Sequence, residues 1–157
     1  MRSLKRLCWL CLLSVVAFGA QAATATVQVR STTAEFADVK ERVVMALENR
    51  GLVLNYTARV GDMLERTGRD TGRERPVYGK AEVLEFCSAA LSRDTMEADP
   101  RNIVFCPYAI AIYTEPQAPG TVHLAYRTPV ASGSDRSIRA LRAIEELLAG
   151  VVNEALQ

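Results

Sequence analysis

Cys87 and Cys106 are the residues with the most chemistry to offer. Each ends or interrupts an apolar, strand-like run: Leu84-Glu85-Phe86-Cys87, then Ile103-Val104-Phe105-Cys106-Pro107-Tyr108. Two such thiols can form a structural disulfide, act as a reversible dithiol that carries sulfur or electrons, share a soft ligand, or stay as two unpaired buried thiols. A disulfide between them would close a loop of about 20 residues, for which the chain-entropy model gives roughly 3 kcal/mol. Arg93 and Arg101 are close in sequence only, and nothing adjacent marks either thiol as activated.

Other constellations are thinner. His123 is the single histidine. With Cys87 and Cys106 it makes a set suited to zinc or copper, but no CxxC or HxxxH spacing accompanies it. Cys106-Pro107 has the form of the short Cys-Pro pairs at some haem sites, a dipeptide too common to carry weight. There is no G-x-S-x-G elbow and no GK[ST] phosphate loop. The run Arg66–Arg75 is basic and glycine-rich, yet Asp70 and Glu74 balance much of its charge; it reads as a solvated loop, or more sharply as an anion-contacting flap. Asp94, Glu97 and Asp99 read as solvated acids. No catalytic set assembles from these residues, and no cofactor is singled out. Tyr108, His123 and Arg127 are the side chains expected to face a ligand or partner.

The elements that position these residues follow from periodicity and punctuation. Arg2, Lys5 and Arg6, an apolar stretch over Leu7–Ala20 and the Ala20-Gln21-Ala22 exit form a secretory signal, so residues 1–22 are expected to be cleaved and 23–157 to form one domain. Cys8 and Cys11 leave with the signal. Its loss removes three of 19 basic residues and none of 18 acidic ones, which leaves a net charge of about −2. That gives no electrostatic case for nucleic acid. No later run is long enough for a membrane helix. The expected product is exported, periplasmic and free of the membrane, in a compartment where disulfides persist.

Thr24–Arg30 alternates as a first strand. Thr32 and Glu35 stand at capping-box spacing before a helix over about 34–50, with Phe36, Val39, Val43 and Leu47 inward and Gly51 as its C′ residue. Strands follow over 52–60 and 80–87, with a short helix around 62–67 between them. Ser88 caps a helix over about 89–97, and Asp99-Pro100 makes a turn. Ile103–Thr114 reads as a central strand apolar on both faces, with Pro107 forcing a bulge or an edge position. Residues 115–120 form a hairpin turn, 121–127 a strand. Asp135 caps a last helix with an inward stripe of Ile138, Leu141, Ile144, Leu148, Val151 and Ala155. Strand, helix, several strands and helix define an α+β domain, an antiparallel sheet with helices on one face.

The segments Glu82–Ala89 and Glu97–Tyr113, which carry the FCSA and DPRNIVFCPY motifs, resemble the domain-of-unknown-function 302 family. The resemblance spans about 36–157. It implies a TATA-binding-protein-like fold and a homodimer, and brings no established activity. The chain departs from that pattern at Cys87-Ser88-Ala89, where many members have Cys-Asn-Pro, and at Phe105, where many have proline. The leading expectation is a non-catalytic exported module that binds a second copy, a protein partner or a small apolar ligand. A thiol redox or sulfur-handling protein using Cys87 and Cys106 is the alternative. A soft-metal or haem carrier using Cys87, Cys106 and His123 is a weaker one.

Overall fold

The computed structural model describes residues 27–157; the signal, its cleavage site and the first residues of the expected opening strand lie outside them. Five strands and four helices follow in the order β1 (Val27–Thr33), α1 (Phe36–Glu48), β2 (Leu54–Ala58), α2 (Val60–Asp70), β3 (Lys80–Phe86), α3 (Ala89–Ala98), a 3-10 helix (Pro100–Phe105), β4 (Tyr108–Glu115), β5 (Ala118–Arg127) and α4 (Asp135–Ala155). The strands make one sheet in the order β1-β5-β4-β3-β2, antiparallel throughout, with β4 in the middle.

Strand alternation divides the side chains between two faces. One face presents Leu84, Phe86, Ile110, Ile112, Val122 and Leu124, all fully buried under α1 and α4. The expected stripes supply the cover: Phe36, Val39, Val43 and Leu47 from α1, and Leu141, Ile144, Leu148, Val151 and Ala155 from α4. Asn49 Nδ2 donates to Glu154 Oε1 at 2.7 Å, and Arg50 pairs with the same carboxylate, tying α1 to α4. Helix α1 ends as expected at Gly51, whose φ of +67° is left-handed. Leu52 N–H then reaches back to Leu47 O at 3.0 Å, and Gly51 N–H to Glu48 O at 2.8 Å.

Four local expectations need correction. Thr32 lies inside β1 opposite Val122, and Glu35 makes no side-chain cap bond, so the capping box does not form; ladder pairing with β5 claims Thr32 first. Ile103–Phe105 are not strand. Asp99 accepts from Arg101 N–H at 3.0 Å and starts the 3-10 helix, and β4 begins only at Tyr108, after Pro107, which has no N–H for the ladder. Helix α2 extends to Asp70, through Gly68. A Cβ at that position would sit 2.7 Å from Arg73 O, so the close approach requires glycine. Ser134 rather than Asp135 caps α4, accepting from Ser137 N–H at 3.2 Å.

The other face of β4 carries Ala109, Ala111 and Tyr113, each only half-buried. Both faces of the strand are apolar, as read, but helices fully cover one alone.

Candidate functional site

The ladder brings the two cysteines together. Phe86 pairs with Tyr108, so the residues just outside that pair, Cys87 after β3 and Cys106 before β4, converge at one end of the sheet. Their sulfurs are 3.2 Å apart. Ser88 Oγ accepts from Leu91 N–H at 3.4 Å and starts α3 directly over them. One turn on, Ser92 Oγ donates to Cys106 Sγ at 3.7 Å and lies 3.2 Å from the Tyr108 hydroxyl. Burial pushes the Cys87 thiol from 9.0 up to about 11, helped by its hydrogen bond to Cys106 and by the Cys106 and Glu85 charges. Burial also raises Tyr108, against the opposing bond from Ser92. The cluster therefore holds a Cys87 thiol that burial keeps protonated and poor as a nucleophile, in contact with Cys106 and well placed for an intramolecular S–S bond.

Beside the cluster is a cavity of about 270 Å³, walled by Phe105, Pro107, Tyr108, Ile144 and Leu148, with Arg127 at its edge. Tyr108 is almost fully buried, edge-on to Phe86 with ring centroids 5.9 Å apart, and turns its polar end to Ser92. Asn102 supports the 3-10 segment: its Nδ2 donates to Thr95 O at 2.9 Å and Ser137 Oγ at 3.1 Å, linking α3 to α4.

His123 lies elsewhere. It pairs in the ladder with Ser31 and Tyr113, on the sheet face away from the core, five residues along β4 from Tyr108. Its Nδ1 is 2.7 Å from Ser31 Oγ, and its ring stacks on Tyr113 at 4.8 Å; Tyr113 in turn meets Tyr78 edge-on at 5.4 Å. The structure does not bring it to the cysteines, and no group of three or more metal-ligating side chains occurs among the described residues. Glu97 pairs with Arg93 and Arg136, and Asp99 with Arg101, so these acids are engaged in surface ion pairs. In α2, Arg69 pairs with Glu65 one turn earlier.

The half-covered sheet face is the second notable surface. Ladder pairs place Val27, Arg127, Ala109, Glu85 and Tyr56 in one row across all five strands: Val27 opposite Arg127, Glu85 opposite Ala109 and Tyr56 opposite Glu85. The β4–β5 register, continued two residues beyond the Ala111–Ala125 pair, sets Ala109 opposite Arg127. The next row is wholly apolar: Val29, Ala125, Ala111, Val83 and Ala58. Val27, Val29 and Tyr56 are 62%, 46% and 61% exposed. A shallow hollow of about 260 Å³ runs between Val27, Val83, Ala111 and Arg127.

Sequence reading passed over Ser92, Asn102 and Glu85. Ser88, Ser92 and Thr95 do recur at helical spacing, which marks one polar face of α3. Glu85 interrupts an apolar strand, but its place in a row depends on strand order.

These features define a single-domain α+β protein, a five-stranded antiparallel sheet backed by helices, with a dithiol at one end. The profile of the family described as "Domain of unknown function DUF302" matches residues 27–155, and the chain belongs to that family. The fold is similar to the crystal structure of an uncharacterized conserved DUF302 protein from Bacillus stearothermophilus, with a TM-score of 0.69 and 15% identity over 83% of this chain and 98% of that one. No curated protein matches the chain.

Proposed function

We propose that this chain is a non-catalytic exported binding module that works as a homodimer, with the half-covered sheet face as its docking surface. One observation carries the reading. A face with one row made wholly of valine and alanine, and with Val27 and Tyr56 more than half exposed at the two edges of the row beside it, is costly to leave in water. Burying it against a second copy removes that cost and gives β4 the second cover that its apolar sequence implies. The secretory signal read at residues 1–22 supports export, and the Cys87 thiol, kept protonated by burial and in contact with Cys106, supports a structural rather than catalytic part for the pair.

The test is native mass spectrometry of protein recovered from the exported fraction, with its amino terminus sequenced. A dimer beginning at Ala23 is expected. A monomer at every concentration up to about 100 μM, well above the Kd of an ordinary stable dimer, overturns the reading.

The contact between the Cys87 and Cys106 sulfurs favours a second reading, thiol–disulfide exchange. An external disulfide would oxidise the pair, forming the Cys87–Cys106 bond and leaving as two thiols, so atoms and electrons balance. Cys87→Ser protein that still reduces a glutathione disulfide probe at the original rate would refute it.

A further inference from the structure

We infer that the dimer has one specific geometry: two copies stack open face to open face about a two-fold axis parallel to β4, so that Arg127 of each copy pairs with Glu85 of the other. The inference rests on the homodimer reading and adds its register.

The argument starts from the strand order. With β4 central, β5 and β3 lie one strand to either side, and β1 and β2 two strands to either side. A two-fold axis running along β4, midway between two stacked sheets, exchanges left for right at constant height. Every residue then meets its row mate from the opposite side. In the charged row, Arg127 faces the second copy's Glu85, and Ala109 faces its own equivalent on the axis. Val27 faces the second copy's Tyr56, which brings the two most exposed apolar side chains of this face together. In the next row, Ala125 faces Val83 and Ala111 faces itself. Small residues on the axis let the sheets approach to about 10 Å, the usual spacing of stacked sheets. An arginine and a glutamate bridge that gap from opposite sides.

An axis across the strands through this row would set Glu85 against Glu85 and Arg127 against Arg127, and one through the next row would set Glu85 opposite Ala81 and Arg127 opposite His123, pairing neither charge. Like charges face to face are strongly unfavourable, so the charged row selects the axis along β4, the stacking that pairs both. Both groups are available for this role: among the described residues neither Arg127 nor Glu85 takes part in an ion pair within the chain. The Tyr78–Tyr113–His123 aromatic stack bounds the flat part of the face at its other end.

Charge reversal tests the register on the full exported protein. Sedimentation equilibrium would compare wild type with Glu85→Arg, Arg127→Glu and the variant carrying both, each checked for folding by circular dichroism. Either single reversal should weaken the homodimer at least about tenfold, because both cross-contacts become like-charged. The double reversal should return to within about threefold of wild type, and an equimolar mixture of the two single variants should form heterodimers. Single variants that dimerise as tightly as wild type overturn the register while leaving the dimer intact. A double variant no tighter than the singles overturns it equally. A wild-type protein that never dimerises removes the underlying reading and this inference with it.

Discussion

Closing the Cys87–Cys106 bond should stabilise the domain by about 3 kcal/mol. The bond would close a loop of about 20 residues, and the chain-entropy relation for that length gives about 11 cal/mol/K, or about 3.3 kcal/mol at 25 °C. The loop contains α3 and the 3-10 helix, already held in place by Asn102 and the Ser88 cap. The sulfurs are in contact before any bond forms. The gain should therefore come from restricting the unfolded chain, with the native fold nearly unchanged. In urea, with an m-value of about 2 kcal/mol/M, the midpoint should fall by about 1.5 M when oxidised protein is reduced. Parallel unfolding curves with and without dithiothreitol would measure this, and mass spectrometry after alkylation would confirm the thiol state. Cys106→Ser should show no redox-dependent shift. The reasoning fails if the bond forms quantitatively and the midpoint moves by less than about 0.3 M, a tenth or two of the stability expected.

Three further outcomes are expected. Reduced protein should lose stability as pH rises from 9 toward 11: below 9.0 the thiol is protonated in both states, whereas above it the unfolded chain ionises first and the folded Cys87 resists until about 11. Urea midpoints across that range, set against Cys87→Ser to subtract the raised tyrosines, would show the larger loss in the wild type, and equal losses in the two proteins would refute it. Leu84→Ala should cost about 2–5 kcal/mol, since Leu84 is fully buried at the centre of the core, and a midpoint change worth under 1 kcal/mol would mean that the helices do not cover that face. Gly51→Ala should cost about 1 kcal/mol from backbone conformation alone, because φ is +67° and a Cβ there meets no atom within 4 Å; an unchanged midpoint would contradict the left-handed helix end.

Periodicity made α1 and α4 legible almost to their ends, because Phe36 to Leu47 and Leu141 to Ala155 are buried by spacing that no other element shares. Ser88 announced α3 for an equally local reason, a side chain that satisfies a free backbone donor three residues on. The errors came where tertiary pairing outranked local preference. Thr32 had the spacing of a cap and the chemistry of a strand, and β5 settled the choice. Ile103–Phe105 had strand composition, but Asp99 and the two prolines committed that stretch to a tight helical turn. The cysteines were visible as a pair, while their oxidation chemistry depends on Ser92, Tyr108 and burial, none of which spacing reveals. Arg127 and Glu85 lie 42 residues apart in sequence, and only the strand order puts them in one row.

The sheet order also sets a timetable for synthesis. Strand β1 is made first, yet its one ladder partner is β5, and Val27 waits for Arg127, 100 residues downstream. At about 5–20 residues per second, β1 spends on the order of 5–20 s with no strand to pair with. During that interval it is a valine- and threonine-bearing segment with a free backbone, open to capture by a holdase or by another nascent chain. The hairpin of β4 and β5, joined through Pro116 and Gln117, can form as soon as it emerges. Strand β1 then adds to an edge that already exists. Strand β1 is thus the first strand made, and its partner β5 is the last, which makes their pairing the most sequence-distant in the sheet.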